Sequence, residues 1–496
     1  MTSATTLDLL VLNPNGRKRI YQELSADLAA IEPPTWGVLI ASAVRKGGHS
    51  VKILDADALN LDAAETAERV AAENPRLVAV IVHGQQPSAS TQNMPAAHEA
   101  CAAIRERAPG IWLLMAGTHP SALPERTLRD EPVDFVCQGE GPATILGLLQ
   151  SPLNENAKYG AIPGLWYREG GAIRSTPPAA LIENLDEVFG GFAWDLLPME
   201  KYRAHNWHCF DRIKERQPYA SIYTSFSCPF KCSFCCIASP YGGPGEGYRR
   251  FSPAQVIREI DVLANKYHVR NIKIIDEMFV LNERHVLGIC DLIIERGYDL
   301  NIWAYARVDT IRDSMLEKLK KAGFNWLGIG IESASKYVRD GVDKSFGARD
   351  IHKTLEKVRA GGIRVGANFI FGLPDDDLKT MQETLDLAID LCPDWANFYS
   401  AMAYPGSKLY TMALEKKWAL PDSWIGYSQH AYETLPLPTD KISATEVLRF
   451  RDRAFHDFFT HPRYLEHVAK RFGTDTLEHV RQMTAHHLKR RHVPEK

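Results

Sequence analysis

Three cysteines between residues 228 and 235 form the pattern in this sequence that is most able to do chemistry. Cys228, Cys232 and Cys235 have the spacing Cys-x-x-x-Cys-x-x-Cys and come directly after a predicted strand. Thiolates are soft ligands that bind zinc or iron–sulfur clusters. Three of them on one loop can hold three irons of a four-iron cluster and leave the fourth iron open. A zinc ribbon, which would need further Cys or His ligands at regular spacing, and a set of buried structural cysteines are the alternatives.

The number of cysteines indicates the compartment in which such a site would survive. Nine cysteines in 496 residues are too few for a disulfide scaffold, and four of them lie between residues 228 and 236. This distribution suits a metal site in a reducing compartment. Cys236 is adjacent to Cys235, so its side chain would have difficulty reaching the same metal. Residues 1–8 show no basic region followed by an apolar block, so no secretory signal is expected and the protein is predicted to be cytoplasmic.

The composition excludes several classes of protein. Hydrophobic residues make up 45% and charged residues 24%, which is ordinary for a globular chain of two to four domains. The 58 Lys and Arg residues nearly balance 61 Asp and Glu residues, for a net charge of −3, so neither nucleic acid nor an anionic membrane is expected as a partner. The longest uncharged stretch, residues 77–98, contains three glutamines, an asparagine and two prolines and is not a membrane span.

Two series of βα repeats would position the reactive residues. In the first, strands are predicted at residues 7–12, 51–54, 77–82, 111–116 and 133–137, with helical patterns at 36–46, 63–73, 93–107 and from residue 122. Such alternation predicts a doubly wound parallel sheet of the Rossmann-like type. Ligands of these sheets lie beyond the carboxyl ends of the strands, where the strand order reverses.

The second series contains the cysteine loop. Strands are predicted at residues 219–226, 271–275, 301–305, 326–331, 364–371 and 395–401, with helical patterns between them. Six repeats predict a partial, TIM-like (β/α)6 barrel, so the fold class is α/β with a helical C-terminal region. The predicted organisation is a sheet domain at 1–150, a linker with a small β excursion at 151–218, the partial barrel at 219–410 and a helical domain at 411–496. The aromatic segment 450–464 is expected to cover the cavity, and residues 486–491 are expected to form a solvated helix end.

The cysteine loop and the residues that follow the later strands resemble the radical SAM superfamily, over about residues 219–410. This resemblance implies a 4Fe-4S cluster held by the three cysteines, S-adenosylmethionine on the open iron, and an electron donor of the flavodoxin or ferredoxin type. It also implies contacts with S-adenosylmethionine from Phe234, the aromatic residue before the last cysteine, and from four residues after the later strands: Asp276 and Glu277 with the amino group, Arg307 with the carboxylate and Glu332 with the ribose. Taken singly, Arg307 or Glu332 could equally form a surface ion pair.

A parallel α/β domain ahead of such a core resembles the cobalamin-binding domain of the cobalamin-dependent radical SAM enzymes. The similar segments are residues 33–37, 47–51, 117–121 and 139–141. The resemblance implies cobalamin contacts from Trp36, His83, Gln85, Gln86, Ser88, Gly117, His119, Pro120, Gly139, Glu140 and Gly141. The D-x-H-x-x-G motif that supplies a cobalt-ligating histidine in other cobalamin proteins is absent from the sequence. The lower face of cobalt is therefore expected to be open or water-bound, and His83 and His119 could instead be ordinary loop histidines.

The predicted function is that of a class B radical SAM methyltransferase. It would methylate an unactivated carbon of a small metabolite or natural product, through methylcobalamin and a 5′-deoxyadenosyl radical. One alternative keeps both cofactors but performs a cyclisation, rearrangement or sulfur reaction. Another alternative makes the N-terminal domain a corrin-free binding module. The sequence does not identify the substrate or the oligomeric state.

Overall fold

The computed structural model describes residues 7–84, 89–154 and 158–493. The N-terminal sheet has seven strands in the order β2-β1-β3-β4-β5-β6-β7, of which the first five are parallel and the last two are added antiparallel. Its strands are β1 (Leu9–Asn13), β2 (Val51–Asp55), β3 (Leu77–Val82), β4 (Trp112–Gly117), β5 (Phe135–Cys137), β6 (Leu165–Glu169) and β7 (Ala172–Ser175). The doubly wound sheet is therefore confirmed, and the β excursion of the predicted linker extends it by a hairpin.

This sheet is buried on both faces. In β1 and β3, alternate residues enter two different hydrophobic clusters, Leu9 and Val11 on one side and Leu10 and Leu12 on the other. A strand that is covered twice must be continuously apolar, as the sequence of β3 is. The covering helices are α1 (Arg17–Tyr21), α2 (Thr35–Lys46), α3 (Ala63–Glu73), α4 (Met94–Arg107), α5 (Thr118–Ala122), α6 (Pro124–Asp130), α7 (Pro142–Leu149) and α8 (Leu185–Phe189).

The second sheet has six parallel strands that curl into a half-barrel. Their order is β15-β14-β13-β12-β11-β8, so each strand lies beside its predecessor. The strands are β8 (Tyr219–Ile222), β11 (Asn271–Ile274), β12 (Asn301–Arg307), β13 (Phe324–Glu332), β14 (Arg364–Phe371) and β15 (Trp395–Ser400), and a small ribbon is formed by β9 (Ser225–Phe226) and β10 (Arg249–Arg250). The partial barrel is confirmed.

Helices cover the outside of the barrel and close the molecule. The barrel helices are α9 (Pro253–Lys266), α10 (Glu283–Arg296), α11 (Asp313–Lys321), α12 (Lys336–Asp340), α13 (Ala348–Ala360), α14 (Leu378–Leu391) and α15 (Lys408–Glu415). The C-terminal helices are α16 (Ala444–Phe459), α17 (Pro462–Phe472) and α18 (Thr474–Thr484). Short 3-10 helices cover Gln22–Ser25, Thr91–Asn93, Trp194–Leu196, Met199–Lys201, Asn206–Arg212, Ser239–Tyr241 and Trp424–Tyr427. No helix in the described part of the chain combines the length and hydropathy of a membrane span.

The C-terminal tail differs from its prediction. Helix α18 ends at Thr484, and Arg490 beyond it is only 8% exposed. The Arg490 guanidinium donates to both carboxylate oxygens of Asp452, at 2.8 Å each, and to the carbonyl of Gln429 at 3.0 Å. A solvated tail is therefore wrong for Arg490, because this side chain anchors the tail against α16.

Candidate active site

A cavity of about 730 Å³ lies between the N-terminal sheet and the barrel. Its wall includes Asn13 and His83, from the ends of β1 and β3, where the order of the sheet reverses. The opposite wall is made by the barrel, including Glu277 and Arg307. Predicted site residues that line this cavity are His83, Phe234, Cys235, Asp276, Glu277, Arg307 and Glu332. The two sets of carboxyl-terminal strand ends therefore face one common space.

The cysteine loop begins immediately after β9, and one of its cysteines lies within hydrogen-bond distance of an arginine of the barrel. Cys228 and Cys232 are half-buried and Cys235 is exposed, and none of the cysteines forms a disulfide. Arg307 donates from Nη1 to the Cys232 sulfur at 3.5 Å, and its guanidinium lies 3.8 Å from the ring centre of Phe230. In the described parts of the chain, no three His, Cys, Asp or Glu side chains are grouped to hold one metal ion. Three thiols on one loop beside a fixed cation nevertheless suit the anionic thiolates of an iron–sulfur cluster.

Two neighbouring acids at the end of the second barrel strand have different environments. Asp276 accepts hydrogen bonds from the backbone N–H of Thr224 and the hydroxyl of Ser225, both at 2.6 Å, and so it ties the first barrel strand to the second. Both carboxylate oxygens of Glu277 are buried and unpaired with any described side chain. Burial raises the pKa of Glu277 to about 8. Glu277 is therefore the acid that is available to a cationic ligand.

Arg307 and Glu332 are each held by a partner. Asp309 accepts from Nε of Arg307 at 2.9 Å and from Nη2 at 3.1 Å, which fixes the plane of the guanidinium. Glu332 has a φ of 67°, at a register shift of β13 against β14, and its carboxylate pairs with Lys344 in a buried contact. The Lys344 ammonium lies 5.8 Å from the ring centre of Phe234. No sequence motif indicates Lys344, because it reaches Glu332 only through the fold.

The two predicted histidines of the N-terminal domain are held by hydrogen bonds. His83 contacts the Tyr223 hydroxyl through Nε2 at 2.9 Å and the Thr118 hydroxyl through Nδ1 at 3.0 Å, and its ring stacks on Trp36. Burial lowers the pKa of His83 to about 4. The Nδ1 atom of His119 contacts the Thr91 hydroxyl at 3.0 Å. Both nitrogens of His83 are thus occupied, as expected of a satisfied histidine rather than a metal ligand.

The other predicted cobalamin contacts either do not line the cavity or lie outside the described residues. Gln85, Gln86 and Ser88 are not among the described residues. Trp36 lies in α2, Gly117 ends β4, His119 and Pro120 lie in α5, and Gly139, Glu140 and Gly141 lie between β5 and α7. None of these seven residues lines the cavity. Gly117 has a φ of 133°, and a Cβ there would lie 2.1 Å from the carbonyl oxygen of Val82, so this turn requires glycine.

Glu140 connects the N-terminal domain to the barrel. It is 5% exposed, it lies 2.8 Å from Nη2 of Arg249, and it accepts from the backbone N–H of Ile182 at 2.7 Å. The change Glu140→Gln would leave Arg249 buried without its counter-charge, so we expect a loss of about 3 kcal/mol in the free energy of unfolding.

Chemical denaturation measures this loss, and the change Glu125→Gln provides the control. Glu125 also pairs with an arginine, Arg129, but both side chains are more than half exposed. The control should therefore lose less than about 0.5 kcal/mol. Equal losses in the two variants would contradict a structural role for the buried pair.

Two family models match this chain. Residues 24–149 match the B12 binding domain, and residues 222–388 match the radical SAM superfamily. Both domains are therefore present, in the order predicted, and together they give the chain the organisation of a cobalamin-dependent radical SAM enzyme. Its cofactors are a 4Fe-4S cluster, S-adenosylmethionine and cobalamin. A corrin-free N-terminal module is accordingly not supported.

Individual relatives share this organisation. The chain is 29% identical to an uncharacterized methyltransferase from Pyrococcus horikoshii, over 87% of this chain and 89% of that protein. It is 25% identical to the anaerobic magnesium-protoporphyrin IX monomethyl ester cyclase of Rubrivivax gelatinosus, over 92% of this chain and 78% of that protein. The structure of the radical S-adenosylmethionine methyltransferase TsrM from Kitasatospora setae, with cobalamin and a 4Fe-4S cluster bound, superposes with a TM-score of 0.65 at 18% identity, covering 83% of this chain and 75% of that one. This likeness confirms the fold.

Proposed function

We propose that this enzyme methylates an unactivated carbon of a small molecule. The observation that carries the proposal is the cavity between the two domains. It is lined both by His83, at the carboxyl end of β3, and by Glu277 and Arg307 of the barrel. Cofactors bound on either side would meet a substrate in one enclosed space. The similarity to an uncharacterized methyltransferase from Pyrococcus horikoshii supports methyl transfer.

The side chains of the cavity have separate roles in this proposal. The cluster and S-adenosylmethionine supply a carbon-centred radical, and cobalamin carries a methyl group. Cys228, Cys232 and Cys235 would hold the cluster. Glu277 would accept from the ammonium group of S-adenosylmethionine, and Arg307, held in plane by Asp309, would donate to its carboxylate.

The remaining contacts position the nucleoside and the corrin. Glu332 would accept from the ribose hydroxyls, and Lys344 holds that carboxylate beside Phe234. The loops after β1, β3, β4 and β5 would support cobalamin, with His83 fixed by its two hydroxyl partners. We also propose a flavodoxin- or ferredoxin-type electron donor and a cytoplasmic location, because thiolates of this kind persist in reducing compartments.

A reaction without methyl transfer is the second candidate. The match to the Rubrivivax gelatinosus cyclase covers 92% of this chain, which is a larger share than the match to the methyltransferase covers. Such an enzyme would use the same two domains and the same cavity.

The two candidates differ in the fate of S-adenosylmethionine. The enzyme is reconstituted anaerobically with iron, sulfide and hydroxocobalamin, reduced, and supplied with methyl-deuterated S-adenosylmethionine. We expect S-adenosylhomocysteine to form in an amount at least equal to the bound cobalamin, because methyl transfer leaves this product. A protein that forms 5′-deoxyadenosine without S-adenosylhomocysteine would contradict the methyltransferase proposal and support the second candidate. A Cys232→Ala variant controls for cleavage that does not depend on the cluster.

A further inference from the structure

In the half of the cavity away from the cysteine loop, the positively charged side chains are paired with negatively charged ones. Lys273 lies 3.3 Å from Glu32, and Arg451 lies 2.8 Å from Asp452. Lys273 and Arg451 are only 3% and 5% exposed. A charged substrate would therefore add a buried charge without a counter-charge, which is unfavourable. The pairing favours a substrate without a fixed charge.

Aromatic rings form the floor of this half. Trp207 and Trp303 have their ring centres 4.1 Å apart, and Trp207 and Trp395 have theirs 6.2 Å apart. A Cβ on Gly366 would lie 2.3 Å from the Trp303 ring, so β14 has glycine where the indole passes. A floor of flat rings favours a substrate that contains a ring.

Two hydrogen bonds in series connect Trp395, Asn397 and Asn368, and they fix the orientation of the Asn368 side-chain amide at the cavity. The indole N–H of Trp395 can only donate, and it donates to Oδ1 of Asn397 at 2.9 Å. The Nδ2 atom of Asn397 then donates to Oδ1 of Asn368 at 2.8 Å. Because the Asn368 oxygen accepts from Asn397, its NH2 group is left to donate, and Asn368 lines the cavity. That group has no acceptor among the described side chains and backbone atoms, so a ligand atom opposite it should be an acceptor.

We propose that the barrel end of the cavity binds a neutral, ring-containing substrate, and that Asn368 donates a hydrogen bond to an acceptor oxygen of that substrate. This assignment rests on the proposed function for the reaction, but it concerns binding alone. Asn368 therefore determines which molecule is accepted, and it is placed by Trp395 and Asn397. Trp395, Asn397 and Asn368 do not belong to any of the motifs by which the sequence resembles its family.

Three probes of equal shape and different charge test the proposal. The reconstituted holoenzyme is dialysed to equilibrium against 1-naphthamide, 1-naphthoate or 1-naphthylmethylammonium, and bound probe is quantified without turnover. We expect 1-naphthamide to bind about tenfold or more tightly than either charged probe, since each charged probe would be buried unpaired. Stronger binding of a charged probe, or binding of none of the three, would overturn the proposal.

Variants separate the role of Asn368 from a general effect on the fold. The change Asn368→Asp replaces the donor by an acceptor and should weaken 1-naphthamide binding about tenfold, because the ligand oxygen would face another oxygen. Asn265→Asp makes the same change at an exposed asparagine that donates to Tyr298, and it should leave binding unchanged.

Trp395→Phe keeps a ring but removes the indole N–H, so the Asn397 and Asn368 amides can turn. This variant should show a reduced preference for the neutral probe. Unchanged binding in both cavity variants, with corrin absorbance retained, would refute the role of Asn368.

Because the readout is binding, the result is independent of the reaction. Retained discrimination in an enzyme that forms no S-adenosylhomocysteine would leave this assignment intact and remove the methyltransferase proposal. Methyl transfer by an enzyme that does not discriminate among the probes would support the methyltransferase proposal and remove the assignment of Asn368.

Discussion

The change Cys232→Ala should give a folded protein that retains corrin but no longer cleaves S-adenosylmethionine. Cys232 is one of three thiols on the loop after β9, and Arg307 lies 3.5 Å from its sulfur. Loss of even an outer partner of a metal ligand typically lowers metal affinity about 10- to 100-fold, so loss of a ligand should lower the yield of 5′-deoxyadenosine by at least about 100-fold. Cys228→Ala and Cys235→Ala should behave in the same way, because a cluster with an open iron has no spare protein ligand.

Cys236→Ala is the matched control for these variants. Cys236 is buried beside Cys235 and lines the same cavity, so the substitution makes an equal change one residue away. Its iron and sulfide content and its electron paramagnetic resonance signal after reduction should equal those of the unmodified enzyme. If Cys236→Ala lost the cluster while one of the other three variants kept it, the assignment of the ligands would be wrong.

The elements of this fold could be predicted closely from the sequence because their periodicity is strong. The bounds predicted for β3, β14 and α3 are those observed. Continuous apolar runs indicate strands that are buried on both faces, and amphipathic patterns indicate the covering helices. The small β excursion was predicted within a linker, since turn residues reveal a hairpin but not the edge with which it pairs. In the structure it pairs with β5.

The contacts of the site were less accessible to sequence reasoning, because they depend on side-chain direction. Asp276 and Glu277 are adjacent and share one motif, yet only Asp276 is consumed by hydrogen bonds to the loop after β8. Lys344 is 12 positions from Glu332 and reaches it through a turn after α12. His83 was placed at the cofactor by its position after β3, and only the structure shows that Tyr223 and Thr118 occupy its nitrogens. To predict a side-chain contact between two strands or loops, one must know the register of the strands, and a single sequence does not give this register.

The change Glu277→Gln should weaken the binding of S-adenosylmethionine about 10- to 100-fold, since hydrogen bonds to charged groups contribute about 1.5 to 3 kcal/mol. Glu277 combines two buried oxygens with the lack of a side-chain partner, which makes it the natural acceptor for an ammonium group. The dissociation constant is measured by equilibrium dialysis with the reconstituted cluster. Asp276→Asn is the control: it removes charge from the neighbouring acid, which already accepts from Thr224 and Ser225, and it should affect the unfolding temperature more than binding. Equal weakening by both changes would place Asp276 on the ligand as well.

The pH dependence of binding provides a second, independent test of the same residue. Burial raises the pKa of Glu277 to about 8 in the free protein, so the carboxyl is protonated below that pH and must release its proton to pair with an ammonium group. The affinity for S-adenosylmethionine should therefore rise as the pH increases towards 8, and it should fall again at higher pH, where the ammonium group of the ligand loses its own proton. In the Glu277→Gln variant this rise should disappear, because glutamine has no proton to release. A rise that persists in the variant would assign the titration to another group and would remove Glu277 from the site of the amino group.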